Sequence, residues 1–192
     1  MNLDDMNDGQ HDLLFAVRRS IRYHDRRRAF FDRMHQVTAG LTILLAGSVL
    51  FDMARPGHTP WWMTVMAFVA ALLSAWDMVV GYAQKANLHG TLKNRFSTLE
   101  MAMIAGDDTP ETLNKHLLER LRIEQDEPPI YRALDLLCRN ELMIAMGYKK
   151  SGDQVHLFDE IGLFENLTRH ILHWENISQT STHPPVQNQV GR

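Results

Sequence analysis

Two apolar blocks constrain the fold of this chain more than any other feature. The first, VTAGLTILLAGSVLF, covers residues 37–51, and the second, PWWMTVMAFVAALLSAW, covers residues 60–76. With one aspartate allowed in each, they extend over Met34–Ala54 and Pro60–Gln84. A helix of about 20 mostly apolar residues crosses a bilayer core. The linker RPGHT is too short for a domain, so the pattern predicts a transmembrane hairpin of two antiparallel helices at 37–84.

A soluble helical hairpin buried in a bundle is the alternative to a membrane hairpin. Trp61 and Trp62 begin the second block and Tyr82 lies near its end. Such amphipathic rings concentrate at membrane interfaces. The first block also lacks the polar face at helical spacing that a surface helix shows. These features favour lipid as the surroundings of both blocks.

A basic segment precedes the first block, with seven arginines between Arg18 and Arg33. The whole chain carries a net charge of -3, unlike the strongly basic balance of most nucleic-acid-binding domains. Excess arginine and lysine mark the cytoplasmic flanks of membrane helices, and the linker contains only Arg55. We therefore expect both termini in the cytoplasm and no nucleic-acid partner. The residues expected at lipid headgroups are Arg26, Arg27, Arg28, Arg33, Trp61 and Trp62.

Asp77 interrupts the second block, and an acid inside a membrane helix costs on the order of 3 kcal/mol. It should therefore not face lipid. Helical spacing places small residues on its face, and the first block offers small residues as well. The candidate pore or helix-interface residues are Asp77, Ser74, Ala70, Gly81, Gly40 and Gly47. Either Asp77 lines the lumen of a homo-oligomer, or it packs against a neighbouring helix or snorkels toward the interface.

The rest of the chain predicts an all-α protein, with helical extensions from the hairpin into a cytoplasmic helical bundle. We expect a flexible acidic N-terminus at 1–12 without a signal peptide, a basic cytoplasmic helix at 13–36, a cytoplasmic helical region at 85–177 and a disordered tail at 178–192. Thr109 and Pro110 predict one helix start, and Pro129 another.

Apolar stripes at helical spacing assign the inward faces of these cytoplasmic helices. The last stripe either packs on the bundle, which we expect, or lies on the membrane surface. The stripes are Leu14, Val17 and Ile21; Leu88, Leu92, Phe96, Leu99 and Met103; Leu113, Leu117 and Leu121; Ile130, Leu134, Leu137, Cys138 and Leu142; and Leu163, Phe164, Leu167, Ile171 and Trp174.

The residue pattern predicts no catalytic, cofactor or metal site. The sequence contains neither a glycine-rich phosphate loop nor paired-cysteine zinc spacing. His170 and His173 are three apart, but no third ligand follows nearby. Cys138 is the sole cysteine, which excludes an internal disulfide, and its apolar stripe indicates a small core residue. A non-enzymatic protein is the prediction.

Three stretches taken in order resemble a known family. IRYHDRRRAFFDRMHQ leads into the hairpin, and IEQDEPPIYRALDLLCRNELMIAMG follows it. From Leu14 to Tyr148 this order is similar to the SLATT family, bacterial proteins with two membrane helices associated with nucleotide-signalling conflict systems. The resemblance implies an oligomeric effector of the bacterial inner membrane that perforates or depolarises it in antiviral defence. It also implies that a separate sensor protein or a nucleotide signal acts as the trigger. The alternative is a non-conducting membrane scaffold or a phage-encoded exclusion factor that acts through protein partners.

Overall fold

The computed structural model describes residues 8–53, 60–107 and 109–174, and within them it contains helices and no strand. The predicted all-α class is confirmed. The α-helices are α1 (Asp8–Met53), α2 (Trp61–Val80), α3 (Tyr82–Ala105), α4 (Pro110–Glu124), α5 (Arg132–Ala145) and α6 (Leu163–Thr168), and a short 3₁₀ helix covers Gly152–Leu157.

The start of α1 corrects one predicted boundary. Asp8 and the residues after it are helical, and Gln10 is buried, so the flexible N-terminus does not extend to residue 12. The helix begins early because its apolar stripe starts at Leu13 and Leu14, one turn further on, and packing holds the preceding turn. Residues 1–7, the predicted turn within 54–59 and the predicted tail at 178–192 lie outside the described residues.

The described chain divides into two compact units. The bundle unit contains the residues up to Arg26 together with those from Gly90 onward, and the hairpin unit is Arg27–His89. Helices α1 and α3 each contribute residues to both units.

The core of the bundle unit joins α1, α3 and α4. Its central cluster contains apolar side chains that are almost wholly buried: Leu13, Leu14, Val17, Leu92, Phe96, Leu99, Met103 and Ile123. The N-terminal apolar stripe therefore packs beside the α3 stripe. Leu88 belongs to the predicted stripe but is exposed, because it lies in the hairpin unit, before this core begins.

Helix α4 begins as predicted and then turns a different face inward. Thr109 caps it by accepting a hydrogen bond from the Thr112 backbone N–H, with Pro110 in the first turn. The residues packed inward are Leu113, His116 and Ile123, whereas Leu117 and Leu121 are exposed. Both sets have helical spacing, so periodicity alone did not decide between the two faces.

The buried His116 gives the bundle unit a pH dependence. Burial, reinforced by the charge of Lys115, lowers the pKa of His116 below its usual 6.5. The unfolded chain therefore binds this proton at a higher pH than the folded protein does. The stability that the neutral imidazole contributes is fully present above about pH 6.5 and is lost as pH falls toward the folded pKa. We expect His116→Gln to reduce the loss of unfolding free energy below about pH 6.5, measured by denaturant titration at several pH values. A variant with the wild-type pH profile contradicts this assignment.

Helix α5 begins later than predicted and supplies a second part of the core. The helix starts at Arg132 rather than Pro129, and the backbone N–H of Tyr131 donates to the Tyr23 hydroxyl. Ile130 is consequently exposed. The remaining predicted stripe turns inward: Leu134, Cys138 and Leu142 are buried, and Leu137 is partly buried.

The last predicted stripe does not pack on the bundle. Leu163 is 91% exposed, and Leu167 and Ile171 are also exposed. Trp174 of this stripe packs beside the buried Ala133 and Leu136, and its ring contacts that of Phe164. The expectation that this segment covers the bundle is wrong, because α6 is only six residues long and ends at Thr168.

A buried ion pair links α5 to the chain that follows the 3₁₀ helix. Arg139 Nη1 donates to Asp159 Oδ2 at 2.7 Å and to the Leu157 carbonyl at 3.0 Å. Asn140 and Asp159 add a reciprocal pair: the Asn140 amide donates to the Asp159 carbonyl, and the Asp159 N–H donates to the Asn140 side-chain oxygen. This network satisfies charges that are expensive to bury without partners.

Candidate functional site in the apolar hairpin

The hairpin unit places α1 and α2 side by side and antiparallel. His35 on α1 and Asp77 on α2 are hydrogen-bonded, and they lie at similar distances along the chain from residues 54–59. On α2, Met63 and Ala70 are buried, and Asp77 follows at the same seven-residue spacing. That spacing keeps one side of a helix toward a partner helix. Asp77 therefore lies on the packed face of the hairpin.

Asp77 is held by two side chains of α1. His35 Nδ1 lies 3.0 Å from Asp77 Oδ2, and Thr38 Oγ1 lies 3.3 Å from Asp77 Oδ1. The Thr38 hydroxyl also lies 2.9 Å from the Met34 carbonyl and 3.0 Å from the His35 carbonyl, so its single proton is shared among three acceptors. Asp77 retains 24% of its side-chain exposure and His35 44%. The pair is thus linked within the hairpin and still accessible from outside it.

The imidazole and the carboxylate together provide proton-exchange chemistry. A protonated His35 forms an ion pair with Asp77, and a neutral His35 donates or accepts a hydrogen bond according to its tautomer. Both groups are hydrogen-bonded to each other beside apolar stretches of α1 and α2, which reduces the cost of placing a carboxylate there. This arrangement holds a charge or a proton between two helices.

The small residues predicted around Asp77 differ in their burial. Ala70 is buried, whereas Ser74 is exposed. A Cβ added at Gly40 or Gly47 meets nothing within 4 Å. Within the described residues these two glycines do not mediate a close helix contact, so a role for them requires another copy or another protein.

Gly81 ends α2, which corrects the prediction that the apolar helix continues through Gln84. Its φ of 65° is left-handed, and its N–H donates to the Asp77 carbonyl. Glycine adopts this conformation without a Cβ penalty, which accounts for the break at this position. Trp76 Nε1 donates to the Tyr82 hydroxyl across the break at 3.1 Å.

The outer face of α2 is apolar and exposed. One helical stretch among the described residues, Trp61–Ala105, is long and apolar enough to cross a membrane, and only 11% of its most apolar part is buried. The core helix of a soluble protein is mostly buried instead. The second predicted membrane helix lies in this stretch. The first predicted membrane helix, within α1, stays a prediction. The large exposed side chains of α2 are Trp61, Trp62, Val65, Phe68, Val69, Leu72, Trp76, Met78 and Val79.

Phe31 anchors the other end of the hairpin unit among basic groups. It is buried and stacks on His89, with the Arg27 guanidinium 4.6 Å from its ring centroid. Arg27 is itself buried, so the expectation that its side chain faces lipid headgroups is wrong. Lys85 lies 5.8 Å from the same ring.

The remaining headgroup candidates divide between paired and exposed residues. In the bundle unit, Arg26 donates to both Glu141 oxygens at 2.6 Å, so the ion pair competes with the predicted lipid contact. In the hairpin unit, Arg28 pairs with Asp32 one turn away. Arg33, Trp61 and Trp62 are exposed, and their contact with lipid stays a prediction.

Most arginines of the bundle unit are also engaged with acids. Arg18 Nε lies 2.7 Å from Glu100, and Arg19 Nε lies 3.2 Å from Asp135. Burial raises the pKa of Asp135, and the charge of Arg19 opposes that shift. These pairs give the basic run an intramolecular role that its charge pattern did not indicate.

Metal and nucleophile chemistry find no support in the described parts of the chain. No group of three His, Cys, Asp or Glu residues there is arranged to hold a metal ion. Cys138 is buried, and burial raises the pKa of its thiol to about 12. The thiol therefore stays protonated and unreactive near neutral pH.

His35 and Thr38 are functional candidates that sequence reasoning missed. Both lie inside the predicted first membrane segment, and their separation of three residues places them on one helix face. The sequence signal that could have identified them is a pair of polar residues at helical spacing within an apolar segment. The partner Asp77 is far away in the sequence, so only the antiparallel register reveals the contact.

Comparison with protein-family models, with curated proteins and with solved structures found no match for this chain.

Proposed function

We propose that this protein is an oligomeric effector of the bacterial inner membrane. In this proposal α1 and α2 form a two-helix transmembrane hairpin with both termini in the cytoplasm. Several hairpins associate around an axis, and the assembly perforates or depolarises the membrane in a defence system. The observation that carries the proposal is the exposed apolar face of α2, because a large apolar surface requires lipid or protein to cover it.

Exposed apolar side chains on α1 support the proposal that both helices span the membrane. Ile43, Leu44 and Leu50 are exposed in the hairpin unit. Residues 34–53 extend about 30 Å at helical rise, which matches the hydrocarbon thickness of a bilayer. Lipid around both helices removes these side chains from water, while the Asp77 and His35 pair stays between the helices.

The distribution of positive charge supports the orientation. The arginine-rich segment precedes the hairpin and the linker contains only Arg55. The acidic partners of these arginines have little influence on the orientation of the hairpin in the membrane, because that orientation follows the number of lysines and arginines rather than the net charge. Both ends of the hairpin therefore belong on the cytoplasmic side.

Oligomerisation follows from the polar pair and from small exposed residues. Two helices are too few to enclose a conducting path, whereas several hairpins bring several copies of Asp77 together. Ala67, Ala71 and Ser74 are exposed on α2, and small residues allow close approach between membrane helices. The resemblance to SLATT proteins agrees with this arrangement, and a partner sensor protein or a nucleotide signal is part of the proposal.

Ion leakage from liposomes containing the purified protein tests the conducting function. We expect Asp77→Asn to reduce cation leakage because it removes a negative charge from the path. His35→Gln should increase it, because the Asp77 carboxylate loses the imidazole that engages it. The matched control is Asp32→Asn, an acid of the hairpin unit outside the polar pair. Unchanged leakage in both variants, at equal insertion, excludes a role for the pair in conduction.

A non-conducting scaffold or exclusion factor is the second candidate. The hydrogen bonds from α1 to Asp77 favour it, because a carboxylate satisfied within one hairpin needs no lumen. Wild-type liposomes that retain their ions, with the protein inserted, support this candidate. Both candidates require insertion into the membrane, which carbonate extraction of cell membranes tests. Release of the protein into the supernatant contradicts any membrane-spanning function.

A further inference from the structure

A solvent-open pocket of about 330 Å³ lies in the bundle unit, between α1, α3 and α5. Its polar lining is Arg18, Arg22 and Glu100. Its apolar lining comes from Ile21 on α1 and from Leu142 and Met146 at the end of α5. The pocket therefore combines two guanidinium groups and one carboxylate with an apolar wall.

Arg22 differs from its neighbours on α1. Arg18, Arg19 and Arg26 each form an ion pair with an acid of α3 or α5. In the part of the chain that the structure describes, Arg22 has neither an ion pair nor a side-chain hydrogen bond. Glu100 is already engaged by Arg18. The pocket is thus left with an uncompensated positive charge on a partly buried side chain.

A guanidinium in such surroundings favours an anion that accepts two parallel hydrogen bonds. Carboxylates and phosphates have this geometry. The apolar wall adds a surface for a hydrocarbon or aromatic group, and the volume lies at the lower end of the range for small-molecule pockets. An inorganic ion alone leaves this wall uncovered.

We infer that the pocket binds a small organic anion, in which a phosphate or carboxylate contacts Arg22 and an apolar body lies against Ile21 and Met146. This inference does not rest on the proposed function, because binding here is independent of whether the hairpin conducts ions. Since the ligand contacts α1 and the end of α5, its binding should also stabilise the folded bundle unit.

Phenyl phosphate is a suitable probe, with inorganic phosphate and phenol as its two halves. Binding to the full-length protein in uncharged detergent is measured by ligand-observed NMR and by the thermal unfolding midpoint. We expect phenyl phosphate to bind more tightly than either half and to raise the midpoint. No binding at millimolar concentration, or equal binding of inorganic phosphate, overturns the inference.

Three variants locate the binding. Arg22→Gln should weaken phenyl phosphate binding by at least about tenfold, because one charged contact is lost. Ala145→Leu adds bulk at the pocket lining without changing charge and should also weaken it. Arg122→Gln removes an exposed arginine of the bundle unit outside the pocket and should bind as wild type. Wild-type affinity in Arg22→Gln, or an equal loss in Arg122→Gln, overturns the assignment.

Competition with phosphatidylglycerol identifies the source of the anion. Displacement of phenyl phosphate from the wild type, with little effect of the lipid on Arg22→Gln, indicates that a lipid headgroup occupies the pocket. Retention of phenyl phosphate indicates a soluble organic anion. Both outcomes support an organic anion at Arg22.

Discussion

Replacing Asp159 by asparagine is expected to lower the free energy of unfolding by about 3–5 kcal/mol. The Asp159 side chain is 0% exposed and its partner Arg139 is 1% exposed. The substitution leaves the Arg139 charge buried beside a neutral amide. The backbone hydrogen bonds between Asp159 and Asn140 remain available, so the loss reports the missing negative charge.

Denaturant unfolding of the purified protein in mild detergent measures this effect. Glu160→Gln removes the charge of the exposed neighbouring residue and should change the stability little. The double variant Arg139→Met with Asp159→Leu removes both charges and should be more stable than Asp159→Asn alone, because apolar replacements of a buried pair are tolerated. A double variant less stable than Asp159→Asn contradicts the explanation by an unpaired buried charge.

Truncating Phe96 to alanine is expected to destabilise the bundle unit by about 3–5 kcal/mol. The ring is fully buried in the cluster that joins α1, α3 and α4, and it stacks on the buried His24 at 5.6 Å. Removing it leaves a cavity between three helices whose backbones are fixed by other contacts, so the space closes only in part.

The same unfolding measurement tests this effect, with Met101→Ala as its control. Met101 belongs to the same helix but is 62% exposed, so its truncation removes little buried surface. Equal losses in Phe96→Ala and Met101→Ala are incompatible with a core centred on Phe96. Because the cluster lies in the bundle unit, we expect Phe96→Ala to remain membrane-bound in the carbonate extraction.

The sequence anticipated the fold where local chemistry was unambiguous. Thr109 and Pro110 start α4 because a hydroxyl cap and a proline at the first helical position both satisfy a helix end. The α3 stripe from Leu92 to Met103 is buried as its spacing indicates. On α4 and after Gly162, several leucines that the helical spacing placed inward are exposed. More than one face of these segments fitted the helical period, and packing selected among them.

The candidate site was anticipated only in part. Asp77 stood out because an acid interrupts an apolar block, and that signal needs no structure. His35 and Thr38 went unnoticed because nothing in the sequence fixes the register of one helix against another. Likewise, Arg26 and Arg27 were predicted to contact lipid headgroups. In the fold, Arg26 instead donates to Glu141, and Arg27 lies over the ring of Phe31.

The amino-acid sequence by itself determined that this protein is helical and where its apolar blocks, basic segment and interrupting acid lie, because these depend on composition and on the period of a single helix. Only the tertiary structure decided which face of each helix is buried, which arginine lacks an acid, and that Asp77 meets His35. Those outcomes depend on the register and packing of helices distant in the sequence, and local propensity contains no information about either.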